Sequence, residues 1–215
     1  MRELDRLRRQ YGGHTPGLLG ARHSYAVLCP LVERPEGLHL LYEVRSAALH
    51  RQPGEVCFPG GRVEAGETPE QCALRETEEE LSIPRREIEV LGRPDFICNQ
   101  AGFLMQPVLG LVSAGGLAVL SPSPAEVAEV FTVPLSFFRE TRPEVYTYPL
   151  LPEIPKDFPY GAVGIPADYR WAQGRVEVPI WYWQGHAIWG MTARMLESML
   201  GLLKTRPELL AALSE

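Results

Sequence analysis

Apolar positions change period along the chain, and each change marks an element. Residues 2–11 set Leu4 and Leu7 on one face of a short helix. A Gly- and Pro-containing joint follows at 12–19. Residues 23–32 are almost continuously apolar, which predicts a buried strand. The turn Pro35-Glu36-Gly37 and the run 38–44 predict its hairpin partner. Residues 45–61 are a loop dense in Gly, Pro and Arg, and 63–67 form a short extended piece. A helical period then appears over 68–82. Thr68 serves as N-cap, Pro69 fits the first helical position and Gln71 completes a capping box. Ala73, Leu74, Thr77 and Leu81 form the inward stripe, and Pro84 stops the helix.

Strand-length runs recur at 88–91, 95–97 and 104–112, followed by alternation over 126–131 and a helical turn at 135–138. Residues 140–160 are Pro-rich and aromatic, as in a structured covering loop. A strand at 176–183, an amphipathic helix at 192–204 and one more turn at 207–214 complete the chain. Hairpins mixed with two well-marked helices predict an α/β layered domain with a mixed sheet. Without repeats or low-complexity tracts, 215 residues suit a single domain over 1–215. Its core spans about 23–205, behind a helical extension at 1–20.

Composition narrows the chemistry. Hydrophobic residues make up 45% and charged residues 22%, an ordinary soluble range. A net charge of -6 provides no basic footprint for nucleic acid. An anionic substrate would need cations concentrated locally, and a bound divalent metal supplies them. The charged N-terminal stretch lacks the apolar core of a signal peptide. No apolar run approaches the roughly 20 residues that span a bilayer. Cys29, Cys57, Cys72 and Cys98 have no CxxC spacing and read as reduced thiols of a cytoplasmic protein. His14, His23, His39 and His186 make no zinc pattern with them.

The informative stretch is Arg75-Glu76-Thr77-Glu78-Glu79-Glu80. On a helix Glu76 and Glu80 lie one turn apart with Glu79 beside them, and such like charges repel. A hard divalent cation with oxygen ligands would offset that repulsion, and the Arg75 fork reaches Glu79. A solvated acidic face is the competing reading. Upstream, Phe58-Pro59-Gly60-Gly61 lets backbone approach a ligand closely and offer a carbonyl to it.

Residues 61–83 resemble the signature of the Nudix hydrolases. That signature runs Gly, five residues, Glu, seven residues, then Arg-Glu-aliphatic-x-Glu-Glu-x-Gly-aliphatic. Gly61, Glu67, Arg75, Glu76, Glu79, Glu80 and Ile83 stand in register. Thr77 replaces an aliphatic residue, and Ser82 replaces the helix-capping Gly. Leu40-Leu41, Arg45-Ser46 and the stretch from Gly54 through Gly61 are similar to the extra motif of the coenzyme A diphosphatase branch. His50 stands where that motif has Arg, with Arg51 beside it. Glu126, Glu129 and the segments 126–135 and 188–194 are also similar to that branch.

The resemblance implies an α/β/α sandwich with a mixed β-sheet between helices. It also implies hydrolysis of a nucleoside diphosphate compound, a small-molecule substrate, with Mg2+ or Mn2+. Glu76, Glu79 and Glu80 would be the metal ligands, with a carbonyl of Gly60 or Gly61. Glu67 would pair with Arg75 and orient the loop. The general base stays open among Glu79, Glu126 and Glu129. Arg45, His50 and Arg51 would bind substrate phosphates, although Arg45 paired to a structural carboxylate is nearly as good a reading. Phe58, Tyr146, Tyr148 and Phe158 would stack on adenine, line a pantetheine channel, or simply pack. The leading expectation is cleavage of coenzyme A or its thioesters. The alternatives are ADP-ribose or another nucleoside diphosphate as substrate, or a Nudix-like module that binds without turnover. The apolar, aromatic C-terminal third suggests a homodimer.

Overall fold

A computed structural model describes residues 3–14 and 17–204 of the chain. The expected hairpin forms from β1 (His23–Arg34) and β2 (Gly37–Arg45). The two strands pair only near the turn, from Leu31↔Leu40 to Arg34↔Gly37. Beyond that they splay, and the chain after β2 fills the gap. Strand β3 (Val56–Cys57) pairs with β2 at Glu43 and Val44, while β4 (Gly60–Arg62) pairs with β1 at Tyr25–Val27. The Phe58-Pro59 link bridges the split, with Pro59 O accepting Leu28 N–H at 2.9 Å.

The rest of the main sheet builds outward. Strand β7 (Phe103–Val112) runs parallel to β1 along ten residues, and β5 (Ile88–Gly92) and β6 (Ile97–Cys98) pair antiparallel with β7. Strand β8 (Val127–Pro134) closes the other side of β2. The sheet is therefore mixed, with one parallel pairing among antiparallel ones.

Both faces of the sheet are covered, so β1 and β2 are apolar at consecutive positions. Ala26, Leu28 and Leu41 pack under α2 (Pro69–Leu81) with Cys72, Ala73, Leu81 and Ile83. Val27, Cys29, Leu40 and Tyr42 face the opposite way. They pack on α4 (Leu135–Glu140) and α5 (Gly190–Lys204) through Phe138, Leu196 and Met199. This is the layered α/β arrangement that the periodicity predicts.

Several elements depart from expectation. The covering loop at 140–160 contains β9 (Glu144–Leu150), which joins β10 (Gly174–Trp183) and β11 (His186–Trp189) in a second, three-stranded sheet. Its side chains are almost all exposed, so no buried period marked it as a strand. The extended piece expected at 63–67 is displaced to β4, and a turn takes 65–66. A short helix, α3 (Ala114–Ala118), was not signalled. The N-terminal helix α1 (Glu3–Gly12) forms, but Leu4 and Leu7 stay exposed on it. The turn expected at 207–214 lies outside the described residues.

Candidate metal and active site

The site is set by how α2 is anchored at both ends. At its start, Thr68 Oγ1 accepts Gln71 N–H at 3.2 Å, and Gln71 Oε1 accepts Thr68 N–H at 2.8 Å. This is the reciprocal capping box. At its end Ser82 takes the left-handed conformation, φ 58°, that the missing Gly would adopt most easily. Its hydroxyl donates to Ser121 O at 2.8 Å. The Leu81 and Glu80 carbonyls accept the N–H groups of Ser121 and Ser123 at 2.9 and 2.8 Å. Thr77, the other departure from the Nudix pattern, is fully buried and donates to Ala73 O at 2.7 Å. Neither change disturbs the helix.

The helix packs directly on the Gly60-Gly61 backbone. A Cβ on Gly61 would overlap the Glu76 carboxylate, and one on Gly60 would run into the β1 backbone at Ala26 and Val27. Gly60 therefore requires glycine for close approach to backbone, and a side chain at Gly61 would displace the Glu76 carboxylate. Gly60 N–H donates to Glu80 Oε2 at 2.9 Å, and Gly61 O accepts the Cys72 thiol at 3.6 Å.

Arg75 organises the acidic residues around it. It holds Glu67 through two bonds, Nε to Oε1 at 2.9 Å and Nη2 to Oε2 at 3.1 Å. Nη1 reaches Glu76 Oε1 at 2.8 Å and Glu79 Oε2 at 3.2 Å, and Nη2 also donates to Arg62 O at 3.2 Å. The expected Glu67–Arg75 pair is thus present, and it brings the Glu67 carboxyl down to about 2. Glu64 N–H adds to that effect.

Glu76 and Glu80 are pushed the opposite way. Burial raises Glu76 above the usual carboxylate range, with Glu79 and Glu126 adding to it and Arg75 opposing. Glu80 is almost wholly buried, and burial followed by the charge of Glu43 pushes it far up. Only the Gly60 amide opposes strongly. A set of half-buried and buried carboxylates that repel one another matches a hard cation in donor chemistry. Among the described residues no three His, Cys, Asp or Glu side chains are already gathered to enclose an ion. The reason is visible in their partners: Arg75 holds Glu76 and Glu79, and the Gly60 amide holds Glu80.

Glu43 is the residue that sequence reasoning missed. It is 1% exposed at the centre of the main sheet, paired with Cys57 on one side and Val130 on the other. Its signal was available, because Glu43 is a lone acid inside the apolar run 38–44. Glu126 stands at the rim, exposed, and its charge acts on Glu43, Glu76 and Glu80. The loop carrying it is fixed by Glu126 O accepting Ser46 N–H at 2.7 Å. Glu129, the other downstream acid, pairs with His186 at 3.3 Å instead.

The loop at 45–61 borders a separate cleft of about 210 Å³. Arg45, Gln52, Glu55 and Cys57 supply its polar wall, and Val27, Met105, Met191, Met195 and Trp189 its apolar one. Arg45 donates Nε–H to Arg51 O at 3.3 Å and has no ion pair with a carboxylate among the described residues. The structural pairing weighed for Arg45 is therefore not found. His50 and Arg51 are exposed on the same loop. Phe58 is core, 2% exposed and stacked on Tyr42 at 4.7 Å, although its edge also lines the cleft. Tyr146 and Tyr148 are exposed on β9, and Phe158 packs on Tyr160 and Trp171. The four cysteines are free thiols; Cys29 and Cys72 are buried, Cys57 is half-buried and Cys98 is exposed. No helix among the described residues is long and apolar enough to cross a membrane.

Comparison with known proteins follows the same line. The model of the NUDIX domain matches residues 22–146. Mouse peroxisomal coenzyme A diphosphatase NUDT7 (Mus musculus) is 38% identical over 149 residues, 65% of this chain and 61% of that protein. Human mitochondrial coenzyme A diphosphatase NUDT8 (Homo sapiens) is 33% identical over 202 residues, 92% of this chain and 77% of that one. The Nudix hydrolase NudL of Photorhabdus laumondii, itself uncharacterized, is 35% identical over 180 residues, 83% of each chain. Among solved structures, the Nudix hydrolase RenU from M. smegmatis superposes with a TM-score of 0.47. It is 23% identical and covers 55% of this chain and 74% of that one.

Proposed function

The chain belongs to the Nudix hydrolase family, and from that premise we propose that it cleaves the diphosphate of coenzyme A or an acyl-coenzyme A. The products are 3′-phosphoadenosine 5′-phosphate and the corresponding 4′-phosphopantetheine. The observation that carries the hydrolytic reading is the seating of two α2 carboxylates on the Gly60-Gly61 backbone, Glu76 against Gly61 and Glu80 on the Gly60 amide, with Glu79 held beside Glu76 by Arg75.

Glu76, Glu79 and Glu80 would hold Mg2+ or Mn2+, with the Gly60 carbonyl as a further oxygen donor. Such an ion supplies charge neutralisation for the diphosphate and a lower pKa for the attacking water. The protein's own contribution is positioning and charge placement, which dominate phosphoryl chemistry. Arg75 orders Glu76 and Glu79 from one side and is itself fixed by Glu67. Glu126, at the rim, takes the proton from water; Glu129 is engaged by His186.

Coenzyme A is favoured over other diphosphates by the 45–61 loop and by two relatives named as coenzyme A diphosphatases. Arg45 and Arg51, with His50, supply cations for substrate phosphates. The adjoining cleft, with three methionines along one wall, suits a flexible and largely apolar arm. A homodimer belongs to the same proposal, supported by Val145, Tyr146, Tyr182 and Trp189 exposed on the second sheet. Light scattering on the full chain reads it directly.

The test is a panel of coenzyme A, an acyl-coenzyme A, ADP-ribose and dinucleoside polyphosphates, each with Mg2+ or Mn2+. The expected result is the highest kcat/KM for a coenzyme A compound, with 3′-phosphoadenosine 5′-phosphate released. A preference for ADP-ribose would replace the substrate assignment. Binding without turnover of any of them would overturn the enzyme reading.

A further inference from the structure

We propose that Glu43 supplies a fourth carboxylate to the cation site, from strand β2 of the main sheet and not from the helix. The inference rests on the reading of Glu76, Glu79 and Glu80 as that site.

Its basis is position. Strand β2 is interior to the main sheet where Glu43 stands, with β3 on one edge and β8 on the other. Glu43 shares a face with Leu41, which is packed in the core under α2. A carboxylate at such a place cannot belong to a solvated acidic surface, since only 1% of it is exposed.

Its partners are too few for that burial. Oε1 accepts the Cys57 thiol at 3.3 Å, a weak donor, and Oε2 has no hydrogen-bond partner within the protein. No arginine, lysine or histidine forms an ion pair with it among the described residues, although the charge of Arg45 acts on it. A buried carboxylate without a paired cation is costly, and native structures rarely keep one without a purpose.

Its neighbours are acids from separate parts of the chain. Glu80 and Glu76 come from α2 and Glu126 from the loop before β8, and each acts on Glu43 as a like charge. Three independent segments thus bring carboxylates close enough to repel one another, and one of them, Glu80, sits on the Gly60 amide. A divalent cation offsets that convergence, and oxygen donors are what Mg2+ and Mn2+ take. The thiol of Cys57 then orients Glu43 as outer groups orient metal ligands.

The test measures Mn2+ binding to the full chain without substrate, by titration calorimetry and by the loss of the free-ion EPR signal. The variants are Glu43→Gln and Glu43→Thr, with Glu80→Gln beside them. Melting of the metal-free proteins confirms that each folds. The expected result is an affinity lowered about tenfold or more in both Glu43 variants, with metal-free melting at or above that of the unsubstituted chain. Wild-type Mn2+ affinity in either folded Glu43 variant, with Glu80→Gln impaired, overturns the role of Glu43 and leaves the helix site standing. No Mn2+ binding by the unsubstituted chain overturns both.

Discussion

The two faces of the main sheet are built from the same strands and differ in what they bury. On the α5 face, Val27, Leu40, Tyr42, Phe138, Leu196 and Met199 form a core of apolar and aromatic side chains with no carboxylate in it. On the α2 face an apolar core of similar make-up also covers Glu43 and Glu80, and leaves Glu76 half-covered. Folding needs only the first kind of face, because apolar burial alone drives it. The second kind carries charge that burial disfavours. The difference between them separates what the chain needs to fold from what it keeps for chemistry.

Substitutions on the two faces should therefore have opposite signatures. Glu80→Gln is expected to lower metal-dependent turnover by more than about 100-fold, beyond the effect of losing an outer-shell partner. The melting temperature of the metal-free protein should hold or rise. On the other face Leu196→Ala should cost about 2–5 kcal/mol of stability, read by denaturant unfolding. Its kcat should be unchanged where the protein stays folded. A Glu80→Gln variant that melts much earlier, or a Leu196→Ala variant that loses its turnover, would break the contrast.

The pH dependence sharpens it. Glu80 is raised in the folded state from 4.5 to about 9. A raised acid binds its proton more tightly when folded, so the stability linked to it is full below about pH 4.5 and is lost as the pH rises towards 9. Metal-free protein should lose stability across that window, and Glu80→Gln should flatten the slope. Glu67 has the opposite sign. Lowered to about 2 by Arg75, it contributes stability above its unfolded value of 4.5 and loses it as the pH falls through 2. Glu67→Gln should remove that acid-side loss in the same melting series. The smallest effect is expected from Ser82→Gly. Relief of the left-handed φ and loss of the hydroxyl bond to Ser121 oppose each other within about 1 kcal/mol. Turnover should not change, and a large loss of activity would show that the helix end does more than cap.

Much of this contrast was legible in the sequence, for identifiable reasons. Local patterns report local structure: the box from Thr68 to Gln71 and the run 23–32 predict α2 and β1 because capping and burial act through neighbouring residues. The spacing of Gly61, Glu67, Arg75, Glu76, Glu79 and Glu80 reports one contiguous turn and helix. What was not legible depends on distant pairing. Strand β9 buries almost nothing and exists through its partner β10, so it shows no period of its own. Glu43 gains its meaning only when β1 and β2 splay and β3 and β8 enclose it in the sheet. Phe58 stays open in the motif between ligand contact and packing, because the stack on Tyr42 that makes it core is contributed by β2.

The α2 carboxylates are expected to serve a cation-dependent cleavage. The direct measurement is coenzyme A hydrolysis after the metal is stripped with a chelator and Mn2+ is returned, in the unsubstituted chain and in Glu80→Gln. Turnover lost on stripping and restored only in the unsubstituted chain is the predicted result. Full turnover after stripping, or equal restoration in Glu80→Gln, would contradict it.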